Sequence, residues 1–210
     1  MSAFRIIVLA SGSGTNLQAI LDQLHQGEEG IEVAGVGSDI PDAIALARAR
    51  GAGIETAVFP ASEYEDRASR DGALGDWIEQ RNADLVVLAG YMQLLSPGFV
   101  GRFRNRVINV HPALLPSFPG TDAVQQALDH GSKITGVTVH FVDEGVDSGP
   151  IILQRPVPIP PSRDWDETEE LIHAVEHALL PEAIRLIAAG RVRFDESNPR
   201  VVLIEPGSSS

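Results

Sequence analysis

Apolar residues in the first part of the chain change their spacing at a glycine-rich turn. A β-branched run from Phe4 to Ala10 stops at residues 11–14 (Ser-Gly-Ser-Gly), and helical spacing begins at Asn16. Apolar positions on one face of that helix are Leu17, Ile20, Leu21 and Leu24. A strand, a turn and a helix in this order predict the first βα unit of a parallel sheet.

The same alternation continues to the end of the chain. Further strands are predicted at 31–36, 54–59, 84–89, 107–110, 136–142 and 151–158. Helices are predicted at 42–50, closed by Gly51, and at 63–80, 122–130 and 164–189. We expect Pro181 to kink or interrupt the last helix. The pattern predicts an α/β fold, a Rossmann-like, doubly wound, mostly parallel sheet flanked by helices.

Length and composition predict one globular domain. The 210 residues are 43% hydrophobic and 21% charged, which is ordinary globular usage. We expect a single domain over 1–205 and a disordered tail over 206–210. The apolar run 6–10 is too short for a signal peptide, and no stretch reaches the ~18 apolar residues of a membrane span. A cytoplasmic location is therefore expected, with no membrane partner.

Charge and the absence of cysteine narrow the function. The net charge is −13, so a basic face for nucleic acid is not expected. The cluster at 102–106 (Arg-Phe-Arg-Asn-Arg) is interpreted as a solvated helix end, with an anion site as the alternative. With no cysteine, disulfides, thiol nucleophiles, iron–sulfur clusters and cysteine-ligated zinc are excluded. No metal site is predicted.

The turn at residues 11–16 (Ser-Gly-Ser-Gly-Thr-Asn) is the first candidate site. A flexible turn that leads into a helix N-terminus presents unpaired backbone N–H groups to a phosphate. The turn lacks the Lys-Ser/Thr of a Walker loop, and Leu17 stands where a dinucleotide fingerprint has its third glycine. The residues alone support equally a phosphate site and a simple turn capped by Thr15 or Asn16.

Asn109 and His111 form the second candidate site, at the end of a predicted strand. Their spacing of two places both side chains on one face, at a strand end where α/β sheets bind ligands. For a lone histidine, a purely structural role bonded to a backbone carbonyl is the more common alternative. Pro112 and Pro116 are expected to stiffen the loop that follows.

The third candidate is the acidic, glycine-containing segment 143–150, which follows the strand of His140. It is either a solvated turn or a source of chemistry, and its spacing does not fit an EF-hand. Asp147 beside a histidine would raise the imidazole pKa and fix its tautomer. A protonated histidine beside an amide then suits the oxyanion of acyl transfer. Since the chain has no cysteine and no serine elbow, the substrate's own amine is expected to attack directly.

Several motifs together resemble the folate-dependent formyltransferases. They are 109–116 (Asn-Val-His-Pro-Ala-Leu-Leu-Pro), 136–142 (Gly-Val-Thr-Val-His-Phe-Val) and 147–152 (Asp-Ser-Gly-Pro-Ile-Ile), with 11–17 and 87–92 before them. The resemblance runs from about residue 5 to about residue 195, in the family's order. It implies transfer of the formyl group of 10-formyltetrahydrofolate to the amine of glycinamide ribonucleotide, in purine biosynthesis. The N-terminal loop is typical of the members that use this acceptor.

The resemblance also implies site residues. Asn109, His111 and Asp147 match the catalytic positions, where protonated His111 and the Asn109 amide stabilise the oxyanion and Asp147 keeps His111 charged. Positions matching contacts to the ribonucleotide are Gly14, Thr15, Asn16 and Glu176. Positions matching the folate site are Arg67, Leu88, Met92, Gln93, Leu94, Leu95, Val100, Asn109, His140 and Glu144. The implied enzyme is a monomer or a homodimer with small-molecule substrates.

Three positions depart from the family pattern. Ala113 stands where serine is common, Gln93 replaces a frequent arginine, and His173 occupies a variable position on the substrate side. None of the three removes a catalytic group. If backbone groups hold the pterin, the change at Gln93 has little effect.

Alternative functions share part of this pattern. A tRNA formyltransferase is expected to carry a C-terminal domain and a basic surface, and a formyltetrahydrofolate hydrolase an extra N-terminal domain. A sugar-amine formyltransferase stays open, because a nucleotide sugar also carries phosphate. A non-catalytic nucleotide-binding module would explain the turn at 11–16 but gives no reason for Asn109, His111 and Asp147.

Overall fold

The structure is a computed structural model that describes residues 3–207. Contacts divide the chain into two compact units, 1–109 and 110–210. The expectation of a single domain over 1–205 stays a prediction. Part of the tail expected to be disordered, 208–210, lies outside the described residues.

Nine strands and six α-helices lie within the described residues. The strands are β1 Phe4–Leu9, β2 Ile31–Ser38, β3 Thr56–Val58, β4 Leu85–Leu88, β5 Val107–His111, β6 Ile134–Phe141, β7 Ile151–Pro158, β8 Val192–Phe194 and β9 Val202–Ile204. The helices are α1 Thr15–Gln23, α2 Ile44–Gly51, α3 Arg67–Glu79, α4 Pro97–Arg102, α5 Ala123–Asp129 and α6 Trp165–Ala188.

Seven strands form one sheet in the order β3-β2-β1-β4-β5-β6-β7. Strand β1 pairs in parallel with β2 and β4, and β7 pairs antiparallel with β6. The chain runs outward from β1 to β3 and then returns to β4, so the order reverses between β1 and β4. This reversal marks the point at which α/β sheets bind ligands. The predicted doubly wound, mostly parallel fold is confirmed.

The core of the first unit is centred on β1. Ile6, Ile7, Val8 and Leu9 have no exposed side-chain surface, and β4 is buried along its whole length. Because parallel strands are covered on both faces, such runs are apolar at every position. Each such side chain contributes ~1.5–3 kcal/mol when it leaves water. The apolar runs in the sequence therefore place β1 and β4 correctly.

In the second unit, the long helix α6 packs against β6 and β7. Its buried face includes Ile172, Leu179, Leu180 and Ile184. An interruption at Pro181 is not observed, since α6 continues through it, and the alternative of a kink stays a prediction. Pro181 is itself buried, and packing on both sides of it outweighs the loss of one backbone hydrogen bond.

Two predicted helix ends are corrected by local hydrogen bonds. The helix expected from residue 63 begins at Arg67, because Asp66 caps it by accepting from the Ser69 N–H at 2.7 Å. Residues 61–63 instead form a single 3-10 turn. Gly51 lies inside α2 rather than after it, and Gly53 takes the left-handed conformation that ends the turn.

Three short elements were not predicted. The helix α4 is too short for periodicity to reveal, although Ser96 caps it and Pro97 opens it. The hairpin of β8 and β9 has only three residues in each strand. Arg102 ends α4 and pairs with Asp76 and Glu79, as expected for a solvated helix end.

Candidate active site

The turn after β1 is held rigidly before it enters α1. Gly14 is the N-cap residue of α1 and has φ +71°, where a Cβ would lie 2.7 Å from the Ala45 Cα. The Gly12 carbonyl accepts from the Ala45 N–H, and the Ser13 carbonyl accepts from Arg48 Nε at 2.8 Å. The turn therefore presents the first N–H groups of α1 in a fixed position, as a phosphate site requires.

The segment after β4 borders an open cavity in the same unit. Met92 and Leu94 are exposed by 72% and 61%, which is unusual for large apolar side chains. They line a cavity of about 440 Å³ together with Arg67 and Arg70. The lining also includes the acids Glu65 and Asp66, so apolar and charged groups of both signs surround the cavity.

A partly buried carboxylate between two imidazoles is the main feature of the second unit. Asp147 Oδ2 lies 3.4 Å from His111 Nδ1, and Asp147 Oδ1 lies 3.6 Å from His140 Nε2. Asp147 Oδ2 also accepts from the Gly120 N–H at 2.8 Å. His111 ends β5 and His140 lies near the end of β6, so strand ends position both rings. The predicted approach of Asp147 to a histidine is present in the structure.

His111 faces an acceptor on each side of its ring. Its Nε2 lies 2.8 Å from the Phe118 carbonyl oxygen, opposite the nitrogen that faces Asp147. A neutral imidazole carries one N–H, so only the protonated ring can donate to both acceptors. Burial nevertheless has the largest effect and lowers the pKa of His111, while the Phe118 carbonyl and the Asp147 carboxylate raise it. Burial therefore outweighs Asp147 in setting the pKa of His111, and the expectation that Asp147 keeps His111 charged stays a prediction.

Asp147 is ionised in this setting. Burial acts to raise its pKa, but the hydrogen bonds from His140 and Gly120 and the two imidazoles together lower the pKa below the ordinary value. The residue adopts a left-handed backbone with φ 49°, which aspartate tolerates better than most residues. The site thus combines a fixed negative charge with an imidazole that can accept a proton.

The loops on either side of this carboxylate are fixed by their own hydrogen bonds. Thr138 on β6 donates to the Ala113 carbonyl at 2.6 Å and accepts from the Leu115 N–H at 3.1 Å. Asp143 Oδ1 accepts from Ser148 Oγ at 2.6 Å and closes the loop that carries Asp147. Rigid loops hold reacting groups in place more effectively than mobile ones.

The remaining predicted residues fall in different settings. Asn109 lies on β5 two residues before His111, and Asn16 and Glu176 are buried on α1 and α6. Leu88 and Val100 are buried, and their place at the folate site stays a prediction. Arg67 and Glu144 are exposed. His173 stacks on His177 in α6 with ring centroids 6.1 Å apart.

The polar atoms of Gln93 bond to other side chains of the protein, and its contact with folate stays a prediction. Its amide nitrogen donates to Asp39 Oδ2 at 2.8 Å, and its amide oxygen accepts from Arg70 Nη1 at 2.8 Å. Both polar atoms of this side chain are therefore engaged within the protein rather than turned towards a ligand.

Sequence reasoning missed the partners that arrange the site. Asp39 follows β2 and could have been suspected from its place after a strand end. Arg70 and Asp71 lie within α3, where charged residues are ordinary, so no signal marks them. Phe118 and Gly120 act through backbone atoms, which a sequence pattern does not identify.

Neither a metal-binding cluster nor a membrane-spanning helix is found in the described part of the chain. Among residues 3–207, no group of three or more histidine or acidic side chains is placed to bind a metal ion. Within the same part of the chain, no helix is long and apolar enough to cross a membrane.

Comparison with known proteins assigns this fold, with its site at the strand ends, to one enzyme family. Residues 4–184 match the formyl transferase family. The chain belongs to this family. Members of the family use a formyl-folate as co-substrate.

Three known proteins are similar to this chain over more than nine tenths of its length. Phosphoribosylglycinamide formyltransferase from Haemophilus influenzae is 41% identical over 92% of this chain and 91% of its own length. A trifunctional purine biosynthetic protein from Bos taurus is 40% identical over 92% of this chain, which spans only 19% of that protein. The crystal structure of glycinamide ribonucleotide transformylase 1 from Symbiobacterium toebii has a TM-score of 0.93, with 47% identity, and covers 97% and 95% of the two chains.

Proposed function

We propose that this chain transfers the formyl group of 10-formyltetrahydrofolate to the amine of 5-phosphoribosylglycinamide, a step of purine biosynthesis. The observation that carries the proposal is the ionised, partly buried Asp147, which lies 3.4 Å from His111. Relatives named for this reaction, at 41% identity, support the choice of acceptor. Family membership fixes formyl transfer, and the acceptor and donor are the proposed part.

The reaction joins the acceptor nitrogen to the formyl carbon. The amine attacks the formyl carbon, and the carbonyl oxygen takes the negative charge of a tetrahedral intermediate. Asn109 donates its amide N–H to this oxygen, and His111 donates the ring N–H that it gains when it takes the proton of the amine. Collapse of the intermediate breaks the bond from carbon to the folate nitrogen, which receives the proton that the amine loses.

His111 is assigned the proton transfer. Because burial lowers its pKa, the ring is mostly neutral at pH 7 and accepts a proton as the amine attacks. Its bond to the Phe118 carbonyl must then be exchanged for one to substrate. Asp147 stabilises the imidazolium that forms, since a nearby negative charge favours it. His140 shares Asp147 and fixes its orientation.

Substrate contacts are proposed from the remaining residues. The N-terminus of α1, with Gly14, Thr15 and Asn16, binds the ribose phosphate, and Glu176 contacts the ribonucleotide. For the folate, Met92, Leu94 and Leu95 provide apolar contacts, and Arg67 binds its carboxylates. His140 and Glu144 belong to the same proposed site. We further propose a cytoplasmic location, because a phosphorylated substrate does not cross a membrane unaided.

The test is a spectrophotometric assay of folate product with and without 5-phosphoribosylglycinamide. Product that forms only when the ribonucleotide is present is the expected result. Release of folate product without any amine would identify a hydrolase instead. Turnover with an amino sugar nucleotide but none with the ribonucleotide would replace the proposed acceptor.

A further inference from the structure

The turn at residues 11–16 and the segment 92–96 are tied together through one buried carboxylate. Asp39 is only 5% exposed. Its Oδ1 accepts from Ser11 Oγ at 2.5 Å, and its Oδ2 accepts from the Gln93 amide nitrogen at 2.8 Å. Ser11 Oγ in turn accepts from the Met92 N–H at 2.8 Å. A single residue after β2 therefore fixes both segments.

The other end of Gln93 is held as firmly. Its amide oxygen accepts from Arg70, which is 2% exposed and pairs with the equally buried Asp71 at 2.8 Å. Arg70 also donates to the Leu94 carbonyl, and Asp71 accepts from the Ser96 N–H. The segment 92–96 is thus attached directly to buried charges at three of its residues, Gln93, Leu94 and Ser96, and Met92 is bonded to the Ser11 hydroxyl.

The chemistry of the amide explains why glutamine suits this position. Gln93 presents a donor to a carboxylate on one side and an acceptor to a guanidinium on the other. An arginine here would still pair with Asp39, but it would place a second guanidinium beside Arg70. A buried polar group that loses its partner carries a desolvation cost, so each bond in the series depends on its neighbours.

We propose that Gln93 and Asp39 are positioning residues that couple the two substrate sites. The inference rests on the proposed function, which assigns the turn to the ribonucleotide and the segment to the folate. Neither side chain contacts a substrate in this scheme. Movement of either segment is transmitted to the other through Gln93, Asp39 and Ser11, so a change at Gln93 weakens binding of both substrates.

The first test measures dissociation constants by titration calorimetry, with 5-phosphoribosylglycinamide and with tetrahydrofolate as probes. Gln93→Leu keeps the approximate size of the side chain and removes both hydrogen bonds. We expect it to raise both dissociation constants by about fivefold to tenfold, the effect of losing buried hydrogen bonds. The matched control is Gln80→Leu on the exposed end of α3, which should change neither constant. A ribonucleotide constant within twofold of wild type in Gln93→Leu would overturn the coupling.

A reciprocal exchange separates positioning from simple damage to the fold. Gln93→Glu alone sets two carboxylates against each other. Asp39→Asn alone has one acceptor oxygen for two donors, so either the Gln93 amide N–H or the Ser11 hydroxyl loses its acceptor. The double variant Asp39→Asn with Gln93→Glu restores one donor and one acceptor at the same total charge. We expect each single change to weaken both ligands and the pair to recover most of the affinity. The coupling would be refuted if the fold-increases in dissociation constant of the two single variants multiply in the double variant.

Failure of the coupling and failure of the proposed function give different results. Wild-type protein that turns over both substrates while Gln93→Leu behaves like Gln80→Leu contradicts the coupling alone. Wild-type protein that binds neither probe contradicts the proposed function and the coupling with it.

Discussion

Single residues decide the chemistry of this site through what surrounds them. Asp147 accepts a hydrogen bond from the Gly120 N–H and lies between two imidazoles. Its pKa is therefore below the ordinary value, although burial opposes ionisation. His111 lies a few ångströms away and responds in the opposite way, because for an imidazole burial favours the neutral form. Burial leaves His111 neutral and able to accept a proton. The hydrogen bonds to Asp147 keep its carboxylate ionised in spite of burial.

The first prediction concerns Asp147→Asn. Removing the carboxylate destabilises the imidazolium of His111, so kcat should fall by about 100-fold or more, the usual contribution of acid–base assistance. The pKa of His111 should also fall further, because Asp147 acts to raise it. Steady-state kinetics and an NMR titration of the histidines measure the two effects. Asp129→Asn, exposed at the end of α5, is the control, and an unchanged kcat in Asp147→Asn would contradict the mechanism.

The second prediction compares two glycines of one turn. Gly14→Ala must adopt φ +71° and place a Cβ 2.7 Å from Ala45, whereas Gly12→Ala meets no atom within 4 Å. We expect Gly14→Ala to lower the free energy of unfolding by about 1–3 kcal/mol, the typical cost of such backbone strain. Gly12→Ala should have little effect on stability. Denaturant unfolding compares the two, and equal stabilities would show that the turn adapts.

At the scale of elements, hydrophobic spacing predicts long helices and buried strands better than their ends. Strand β1 is apolar except for Arg5, and its predicted end lies within one residue of the observed one. The start of α3 was misplaced because the bonds between Asp66 and Ser69 determine it, and no apolar residue marks that position. Helix α6 passes through Pro181 because contacts with distant strands stabilise it, and local propensity does not include them.

The third prediction uses two threonines on β6. Thr138 is fully buried and bonds to Ala113 and Leu115, whereas no hydrogen-bond partner is found for buried Thr135 Oγ1 within residues 3–207. Thr138→Val should lower the free energy of unfolding by about 2–3 kcal/mol, since it leaves two buried backbone groups unpaired. Thr135→Val should leave stability unchanged or raise it slightly. The same substitution thus lowers the free energy of unfolding at one position of the strand and not at the other. An equal loss of unfolding free energy in both variants would contradict this account.

At the scale of the whole molecule, acidification should destabilise the fold in two stages. The pKa of His111 is lowered, so the unfolded chain takes up the proton first as the pH falls below about 6.5, and stability declines. The pKa of Asp147 is also lowered from 3.8, so its contribution is lost only below that value. Both effects make the folded state more stable at neutral pH than at acid pH.

The fourth prediction follows from the first of these stages. Wild-type protein should have a lower Tm at pH 5 than at pH 7, and His111→Asn should show a smaller difference. Asn cannot take up a proton, so the part of the pH dependence that comes from His111 disappears. Differential scanning calorimetry at both pH values measures the change. Equal differences in wild type and variant would show that His111 does not contribute.

The sequence by itself determined the order of the elements, the doubly wound sheet and the family. These follow from apolar spacing and from short motifs, which are local properties of the chain. It also predicted that Asp147 approaches a histidine, whereas His111 and His140 were assigned to the site by resemblance to known formyltransferases, and their roles stay proposals. Only the tertiary structure decided that burial outweighs Asp147 in setting the pKa of His111, and that Gln93 bonds to Asp39 and Arg70. Burial and these partners depend on residues far apart along the chain, which come together only when the sheet and helices pack.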